Sequence, residues 1–445
     1  MDTTCYGFES ASELWDYIFQ ECCGIIKYSY LCFAIEAVHR YALAYRKGVP
    51  SMALLYPTTQ DSTYAAWALS RSWGQLYTGT PKDNKLMDKP YRTFEKLHGA
   101  LYNNPKKMSD LAFYFSEMTR DYTSPNAPQT YMKTFMSYME AAYVSGILSD
   151  MVFGWDSADE LCQHPVIVAV KIVMMGEDEL QKLARYVQRG GKLIILGEFA
   201  TKDTDIRKRT TDEAIAALGL TARAKPESYY GTAQISYNGQ RGAFDKAATN
   251  YTIHAKGSKP ILFGEKGQVL GVSETIGDGE IIWIPCDIGD NDFQPAIWQN
   301  PNTPETDAYA SVVPGLRKNG GALLSLLIGS RHISINADND VIGTLFEAEN
   351  DYVIHLVNTS DMLPGTDGKV LATDVIAQFT EGAAQVSGFT MNIRLHQRKL
   401  VNEVMMYSPE FIGERAAHYD QDGDRITIHI PNNLFSGYLL VRIST

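Results

Sequence analysis

Hydrophobic positions recur at helical spacing near the start of this chain. Between Leu31 and Tyr45 they place an apolar stripe along one face of a helix, and basic residues followed by Gly48 mark its end. The short apolar run 51–56 is typical of a buried strand, and a second helical pattern follows a polar loop. This order is that of a parallel α/β protein, but the pattern indicates one strand, which cannot close a barrel.

Strands and helices alternate in the middle of the chain. The helices are predicted at 131–144 and 177–188, and the apolar runs predict strands at 111–115, 149–153, 165–173 and 192–196. This alternation favours a doubly wound sheet with right-handed crossovers. The Gly277-Asp278-Gly279 motif is interpreted as a hairpin turn that leads into a late strand of the same domain, rather than as a nucleotide-binding motif.

The pattern changes to short strands alone from about Ile333. Apolar runs separated by turn residues are found at 341–346, 352–357, 392–395, 403–407, 425–430 and 437–443. Asp422-Gly423 is a hairpin signal between two of these strands. Together they predict a small antiparallel β-sandwich.

Composition and charge narrow the class of protein. Hydrophobic residues make up 45% of the 445 residues, which is ordinary for a globular chain, and the formal charge of −12 argues against nucleic-acid binding. The longest apolar runs fall short of the ~18 residues that span a bilayer, so no membrane association is predicted. The N-terminus lacks the features of a signal peptide, so we expect a cytoplasmic chain, or an exported one if a leader lies upstream of this sequence.

Nucleophiles and metal ligands are sparse in the sequence. Class I amidotransferases place a cysteine on a tight turn after a strand, but the predicted strand 192–196 leads into Gly197-Glu198-Phe199. Cys162 precedes a strand, and Cys286 has no base nearby in the sequence, so amidotransferase activity is not predicted. The six cysteines and nine histidines form no metal-binding pattern, and His355 is interpreted as a core residue. No metal or cofactor is therefore expected.

Glu9 is the candidate for carboxylate chemistry. Glycoside hydrolysis requires two carboxyl groups, which a barrel holds at the carboxyl ends of different strands. Glu9 ends a short apolar run one helical unit before the 51–56 strand, where a seventh-strand nucleophile would be expected. A helix cap or a surface glutamate is the alternative interpretation. If Glu9 is a nucleophile, its acid partner would come from an earlier barrel strand, which this chain does not contain.

Several segments together resemble the C-terminal portion of family 42-type β-galactosidases. They are LAFYFSEMTRD at 111–121, YVQRGGKLII at 186–195, GDGEIIWI at 277–284, DYVIHLVN at 351–358 and YSP at 407–409. The resemblance implies the end of a (β/α)8 barrel over 1–105, an amidotransferase-like trimerisation domain over 106–332 and a C-terminal β-sandwich over 333–445. A whole barrel needs about 250 residues, so most of it is missing and the chain is expected to be inactive alone.

The resemblance also suggests where a sugar would be contacted. In such enzymes the middle domain builds subunit contacts and helps to wall the sugar pocket. The corresponding loop here, 116–122, could supply Arg120 or Asp121 to the hydroxyl groups of a substrate in a neighbouring subunit. A local turn held by an Arg120–Asp121 contact is the other interpretation. The implied partners are carbohydrate and either further copies of this chain, as a trimer, or a chain that completes the barrel.

Two functions of different classes remain open at the level of sequence. The first is a β-galactosidase-like glycoside hydrolase represented by its C-terminal portion. The second is a non-enzymatic protein that binds carbohydrate or acts as an oligomerisation scaffold. Five aromatic residues favour the non-enzymatic function if they stack on sugars, whereas aromatic residues packed in the core could not bind a sugar. These residues are Trp67, Trp73, Tyr77, Trp155 and Trp298.

Overall fold

A computed structural model describes most of the chain as a mixed α/β fold, which confirms the predicted class. The described residues are 15–22, 30–55, 60–79, 89–102, 106–123, 129–288, 314–337, 341–348, 351–359, 385–395 and 399–445. They form two compact units. The sheet unit contains the described residues of 110–288 and 314–330, and the flanking unit contains those of 15–109 and 331–445. Residues of the first and third predicted domains therefore lie in one unit.

The flanking unit begins with a small parallel sheet. Its strands are β1 (Ile18–Cys22), β2 (Ser51–Leu55) and β3 (Leu76–Gly79), paired in that order. The helices of this part are α1 (Tyr30–Lys47), α2 (Gln60–Ser72) and α3 (Lys89–Leu97). Helix α1 and strand β2 were predicted. Strands β1 and β3 were missed. Strand β1 contains Gln20 and Glu21, which break its apolar run, and β3 has only four residues.

The described residues of the sheet unit form twelve strands, of which ten belong to one large sheet. Its helices are α4 (Glu117–Thr123), α5 (Gln129–Val144), α6 (Ala158–Leu161), α7 (Glu177–Gln188), α8 (Thr211–Ala217) and α9 (Pro314–Ile328). Strand β4 (Lys106–Lys107) belongs to the flanking unit. The strands of the sheet unit are β5 (Leu111–Phe115), β6 (Ser149–Phe153), β7 (Val166–Met174), β8 (Lys192–Lys202), β9 (Arg223–Lys225), β10 (Tyr229–Tyr237), β11 (Gln240–Thr249), β12 (Thr252–His254), β13 (Lys259–Gly264), β14 (Val269–Ile276), β15 (Gly279–Ile284) and β16 (Asp287–Ile288). Within the described residues, no helix of either unit is long and apolar enough to cross a membrane.

Half of the large sheet is parallel and half is antiparallel. The order is β16-β11-β10-β13-β14-β15-β8-β7-β5-β6, and neighbours from β15 to β6 run parallel. The predicted strands at 111–115, 149–153, 165–173 and 192–196 all lie in this parallel half and are confirmed. The antiparallel strands β10, β11, β13, β14 and β16 were not predicted. In β10 and β11 the polar outer positions leave no long apolar run. Strands β9 and β12 pair separately.

The predicted hairpin at Gly277-Asp278-Gly279 is confirmed. Strands β14 and β15 are antiparallel, with Ile276 opposite Gly279. Gly277 has φ of +61°, and a Cβ atom at Gly279 would lie 2.1 Å from the carbonyl oxygen of Val187 and 2.3 Å from that of Gly191. Glycine is therefore required here because the turn lies directly against the end of helix α7.

Two further sheets complete the flanking unit. The strands are β17 (Ile333–Asn336), β18 (Val341–Ala348), β19 (Asp351–Asn358), β20 (Phe389–Arg394), β21 (Glu403–Tyr407), β22 (Arg415–Ala416), β23 (His418–Asp422), β24 (Arg425–Ile430) and β25 (Tyr438–Ser444). They form a four-stranded sheet, β17-β20-β24-β23, and a six-stranded sheet, β22-β21-β25-β19-β18-β4. All neighbouring strands in both are antiparallel.

The six-stranded sheet is covered on both faces, which explains why nearly all of strand β19 is buried. On one face, Gly343 lies so close to Ile335 of β17 that a Cβ would approach its Cδ1 to 2.6 Å. On the other face, the Trp67 ring of α2 packs against Tyr438 with centroids 4.8 Å apart. The helices beside the small parallel sheet and the β-sandwich thus share one core.

Candidate functional site

The carboxyl ends of the small parallel strands are where barrel chemistry would be expected. Glu9 lies outside the described residues, and its role stays a prediction. The strand that precedes β2 by one helix is β1, and its penultimate residue is Glu21, opposite Leu54 of β2. Sequence reasoning missed Glu21 because β1 itself was not recognised.

A cavity of about 450 Å³ in the flanking unit lies at the opposite end of these strands. Its lining includes Val49, Pro50 and Ser51 at the start of β2, and Leu76 at the start of β3. Barrel enzymes place their reactive groups at the carboxyl ends of strands, whereas the amino ends serve stability. This cavity is therefore not the counterpart of a catalytic pocket.

Arg120 and Asp121 contact each other in helix α4, which follows strand β5. The segment 116–122 was predicted to be a loop, but it forms the short helix α4, because the Ser116 hydroxyl accepts a hydrogen bond from the Thr119 amide at 3.1 Å and caps the helix. Arg120 Nε lies 2.7 Å from Asp121 Oδ1. The arginine side chain is 11% exposed and that of the aspartate 66%, so Asp121 is the more accessible of the two.

Strands β7 and β8 are irregular where they extend beyond their neighbours. Their register shifts on either side of Ile172, and Lys171 and Ala200 adopt positive φ angles of 46° and 50°. A non-glycine residue in this region costs roughly 1–3 kcal/mol, so the surrounding structure holds it there. Gly197 has φ of +77°, and a Cβ there would lie 2.8 Å from Lys171 Cγ. The lysine side chain therefore lies directly over the glycine.

A cavity of about 880 Å³ opens beside this irregular segment. Volumes of this size are typical of small-molecule sites, and ligands of α/β proteins commonly bind beyond the carboxyl ends of parallel strands. Lys171 and Asp287 line it and form an ion pair, with Nζ 2.9 Å from the carboxylate. Glu198 also lines it and accepts a hydrogen bond from Thr201. Because the lysine is paired, the exposed glutamate gives this wall a net negative charge.

Tyrosines form the apolar part of the same cavity. Tyr131, Tyr229, Tyr230 and Tyr251 line it, and Tyr230 is 77% exposed. Burial raises the pKa of Tyr251 to about 12, so its hydroxyl stays protonated and can donate a hydrogen bond at neutral pH. Aromatic faces beside hydroxyl and carboxylate groups suit an uncharged, polyhydroxylated ligand. The sequence held no sign of this site, since its residues are far apart in the chain.

The two cysteines considered as nucleophiles in the sequence both lie in the sheet unit. Cys286 is buried, its thiol approaches the carbonyl oxygen of Leu270 at 3.8 Å, and burial raises its pKa above the ordinary value. Cys162 is exposed and precedes strand β7. His355 is confirmed as a core residue: its Nδ1 lies 2.7 Å from the Tyr438 hydroxyl, and burial lowers its pKa to about 3.

Most of the aromatic candidates pack in the core. Trp67, Trp73 and Tyr77 are 1%, 4% and 7% exposed, so they present no surface to a sugar. Trp155 is 46% exposed and stacks on Phe153 with ring centroids 4.5 Å apart. Trp298 lies outside the described residues.

The chain is similar in fold to several glycoside hydrolases of known structure. A family model described as "GLMA-like, second domain" matches residues 155–232. A GH42 β-galactosidase from G. stearothermophilus is 10% identical, with a TM-score of 0.64 over 98% of this chain and 61% of the enzyme. The β-galactosidase from Bacillus circulans sp. alkalophilus is 11% identical, with a TM-score of 0.64 over 98% and 61%. The α-L-fucosidase isoenzyme 2 from Paenibacillus thiaminolyticus is 14% identical, with a TM-score of 0.68 over 98% and 66%.

These comparisons confirm the predicted likeness to family 42-type β-galactosidases at the level of the fold. No curated protein matches the chain by sequence. The chain spans 61–66% of the length of the three enzymes. The likeness of fold therefore extends over less than two thirds of each enzyme.

Proposed function

We propose that this chain is a β-galactosidase-like glycoside hydrolase polypeptide that carries only the last strands of a catalytic barrel. The observation that supports the proposal is the sheet β1-β2-β3. Its strands are parallel and alternate with helices α1 and α2, as in a (β/α)8 barrel, but the described residues contain three such strands instead of eight. On this proposal the amidotransferase-like sheet unit and the β-sandwich are the remaining parts of the enzyme.

The chain by itself is then catalytically silent. In a barrel completed by other residues, a carboxylate of this chain attacks the anomeric carbon, and a glutamate from the completing part protonates the leaving oxygen. Glu9 is the nucleophile predicted from the sequence. Glu21 is a second candidate, since its backbone lies at the carboxyl end of β1, as barrel chemistry requires.

Hydrolysis of aryl β-galactosides and aryl α-L-fucosides by the purified chain tests this proposal. We expect no turnover above that of a Glu9→Gln, Glu21→Gln double variant, and Glu13→Gln serves as the matched control. Turnover that the double variant abolishes would refute the proposed silence of the chain. Turnover that persists in the double variant would place the active site elsewhere.

The cavity of the sheet unit favours carbohydrate binding without catalysis as a second candidate function. Its tyrosines, hydroxyl groups and Glu198 suit a neutral sugar, and its negative wall disfavours a phosphorylated one. The ring of Trp283 lies 6.0 Å from that of Tyr251, so tryptophan emission can report occupancy.

A titration with galactose and with galactose 6-phosphate separates the two functions. If the cavity binds sugar, emission changes saturably with galactose, more weakly with the phosphate, and at least about tenfold less tightly in Glu198→Ala, which loses a charged hydrogen-bonding group. Lys266→Ala, at an exposed position in the same unit, is the control. An unchanged emission in the wild type would exclude this second function.

The sheet unit is further proposed to assemble copies of this chain as a trimer. Light scattering after size exclusion would then give three times the chain mass of 49.6 kDa, and a monomer would contradict the proposal. In such an assembly Asp121, which is accessible, contacts the substrate of a neighbouring subunit. Asp121→Asn should then weaken sugar binding in the assembly and leave the trimer intact.

A further inference from the structure

The outer face of the four-stranded sheet carries two histidines and an aspartate close together. His418 and Asp420 are separated by one residue on strand β23, so their side chains point to the same face. His429 of strand β24 is the direct partner of His418 in the antiparallel register. The buried residues Ile426, Ile428 and Ile430 alternate with this polar face.

The ligand atoms of the three side chains are within reach of one ion. Each offers an atom that lies within 4.8 Å of the other two. His429 Nε2 is 3.0 Å from Asp420 Oδ2, and the rings of His418 and His429 have centroids 4.9 Å apart. In a tetrahedral zinc site with bonds of ~2.1 Å, ligand atoms are ~3.4 Å apart. Small side-chain rotations would therefore bring the three atoms to that spacing.

We propose that His418, Asp420 and His429 bind a divalent transition-metal ion of the Zn²⁺ type. Two imidazole nitrogens and a carboxylate oxygen match the ligands of zinc, whereas Ca²⁺ and Mg²⁺ prefer oxygen ligands alone. Three protein ligands leave a fourth position for water. The side chains of Asp420 and His429 are 71% and 42% exposed, so an ion can enter from solvent without rearrangement of the core.

The position of the site suggests what the ion does. Strand β23 is at the edge of its sheet and pairs only with β24 among the described strands. An ion held by His418 and Asp420 on one strand and by His429 on the other links the two strands through side chains. Metal binding therefore stabilises the edge strand, which is the part of a sheet that opens most readily.

Calorimetric titration of the full chain, made without a polyhistidine tag, with ZnCl₂ tests the proposal. We expect one ion to bind per chain and affinity to fall at least about tenfold in His418→Gln, in His429→Gln and in Asp420→Asn, since loss of even an outer-shell partner costs 10–100-fold. His254→Gln, at an exposed histidine of strand β12, should bind as the wild type does.

Hydrogen exchange provides the second readout. Zinc should slow amide exchange in the peptide that contains strands β23 and β24 of the wild type, and should not do so in the His418→Gln, His429→Gln double variant. Circular dichroism should be unchanged by these surface substitutions. Absence of binding, binding that survives the double variant, or protection confined to another part of the chain would each overturn the proposal.

Discussion

Glu410 provides a direct test of how the helices and the β-sandwich of the flanking unit are held together. Its Oε1 accepts hydrogen bonds from the Tyr64 hydroxyl of α2 at 2.6 Å and from the amides of Gly437 and Tyr438 at 2.8 and 3.1 Å. Its Oε2 accepts from the Ser436 amide at 2.5 Å and from the Ser436 hydroxyl at 2.8 Å. One carboxylate thus joins a helix to the start of strand β25.

The cost of replacing Glu410 follows from the donors that lose their acceptor. In Glu410→Ala, Ser436 is partly exposed and can turn to water, but Gly437 and Tyr438 are buried. Two buried amides at ~1–2 kcal/mol each give a loss of about 3 kcal/mol in the free energy of unfolding. Glu410→Gln keeps an oxygen at the Oε1 position and loses mainly the Ser436 amide bond, so its cost is about 1 kcal/mol.

Urea unfolding, followed by tryptophan emission and by hydrogen exchange of the C-terminal peptide, measures these costs. The exchange signal assigns the loss to strand β25 in a chain of two units, where a single transition cannot be assumed. Tyr64→Phe should cost about 1 kcal/mol, because it removes one of the five bonds. Asp245→Ala, at an exposed position of the sheet unit, is the control. The reasoning would be refuted if Glu410→Ala and Glu410→Gln lowered the free energy of unfolding equally, or if that of Glu410→Ala lay within about 0.5 kcal/mol of the wild-type value.

Three further predictions follow from single features. The pKa of His355 is lowered to about 3 in the folded chain, so between this value and pH ~6.5 only the unfolded chain binds the extra proton and the free energy of unfolding falls towards acid. Urea unfolding at pH 7 and pH 5 should therefore show a shallower pH dependence for His355→Gln than for the wild type, by up to about 1.4 kcal/mol per pH unit. Gly279→Ala should lower the melting temperature of the sheet unit, with a cost of about 2–4 kcal/mol, whereas Gly99→Ala, which meets no atom within 4 Å, should not. In peptide mass spectrometry, maleimide should modify Cys162 in the native chain but Cys286 only after unfolding; rapid native labelling of Cys286 would contradict its burial.

Much of the fold was predictable where local pattern and burial agree. The parallel strands β5 to β8 are buried on both faces, so they are nearly continuous apolar runs that sequence reasoning finds. Helix α7 begins with acidic residues and ends before Gly190, whose φ is +103°. Strand β1 was missed because two adjacent polar residues interrupt its apolar run. Strands β10 and β11 of the large sheet were missed because polar residues on one face shorten the apolar signal.

The candidate sites were largely invisible in the sequence. Lys171 and Asp287 are 116 residues apart, and only the pairing of the large sheet brings them together. His429 meets His418 because the hairpin register places them opposite each other, and a shift of one residue would turn them to different faces. No spacing rule for metal ligands covers such a pair.

Local patterning alone therefore determined the class of this protein, because hydrophobic periodicity and turn residues act over a few neighbouring positions. It also determined the buried strands of the sheet unit and the antiparallel character of the C-terminal region. The tertiary structure decided that the helices near the start of the chain and the C-terminal β-sandwich share one core. It also decided the position of the 880 Å³ cavity and the grouping of the metal-ligand candidates. The physical reason is that register, strand order and helix packing depend on contacts between distant residues, which local patterning does not specify.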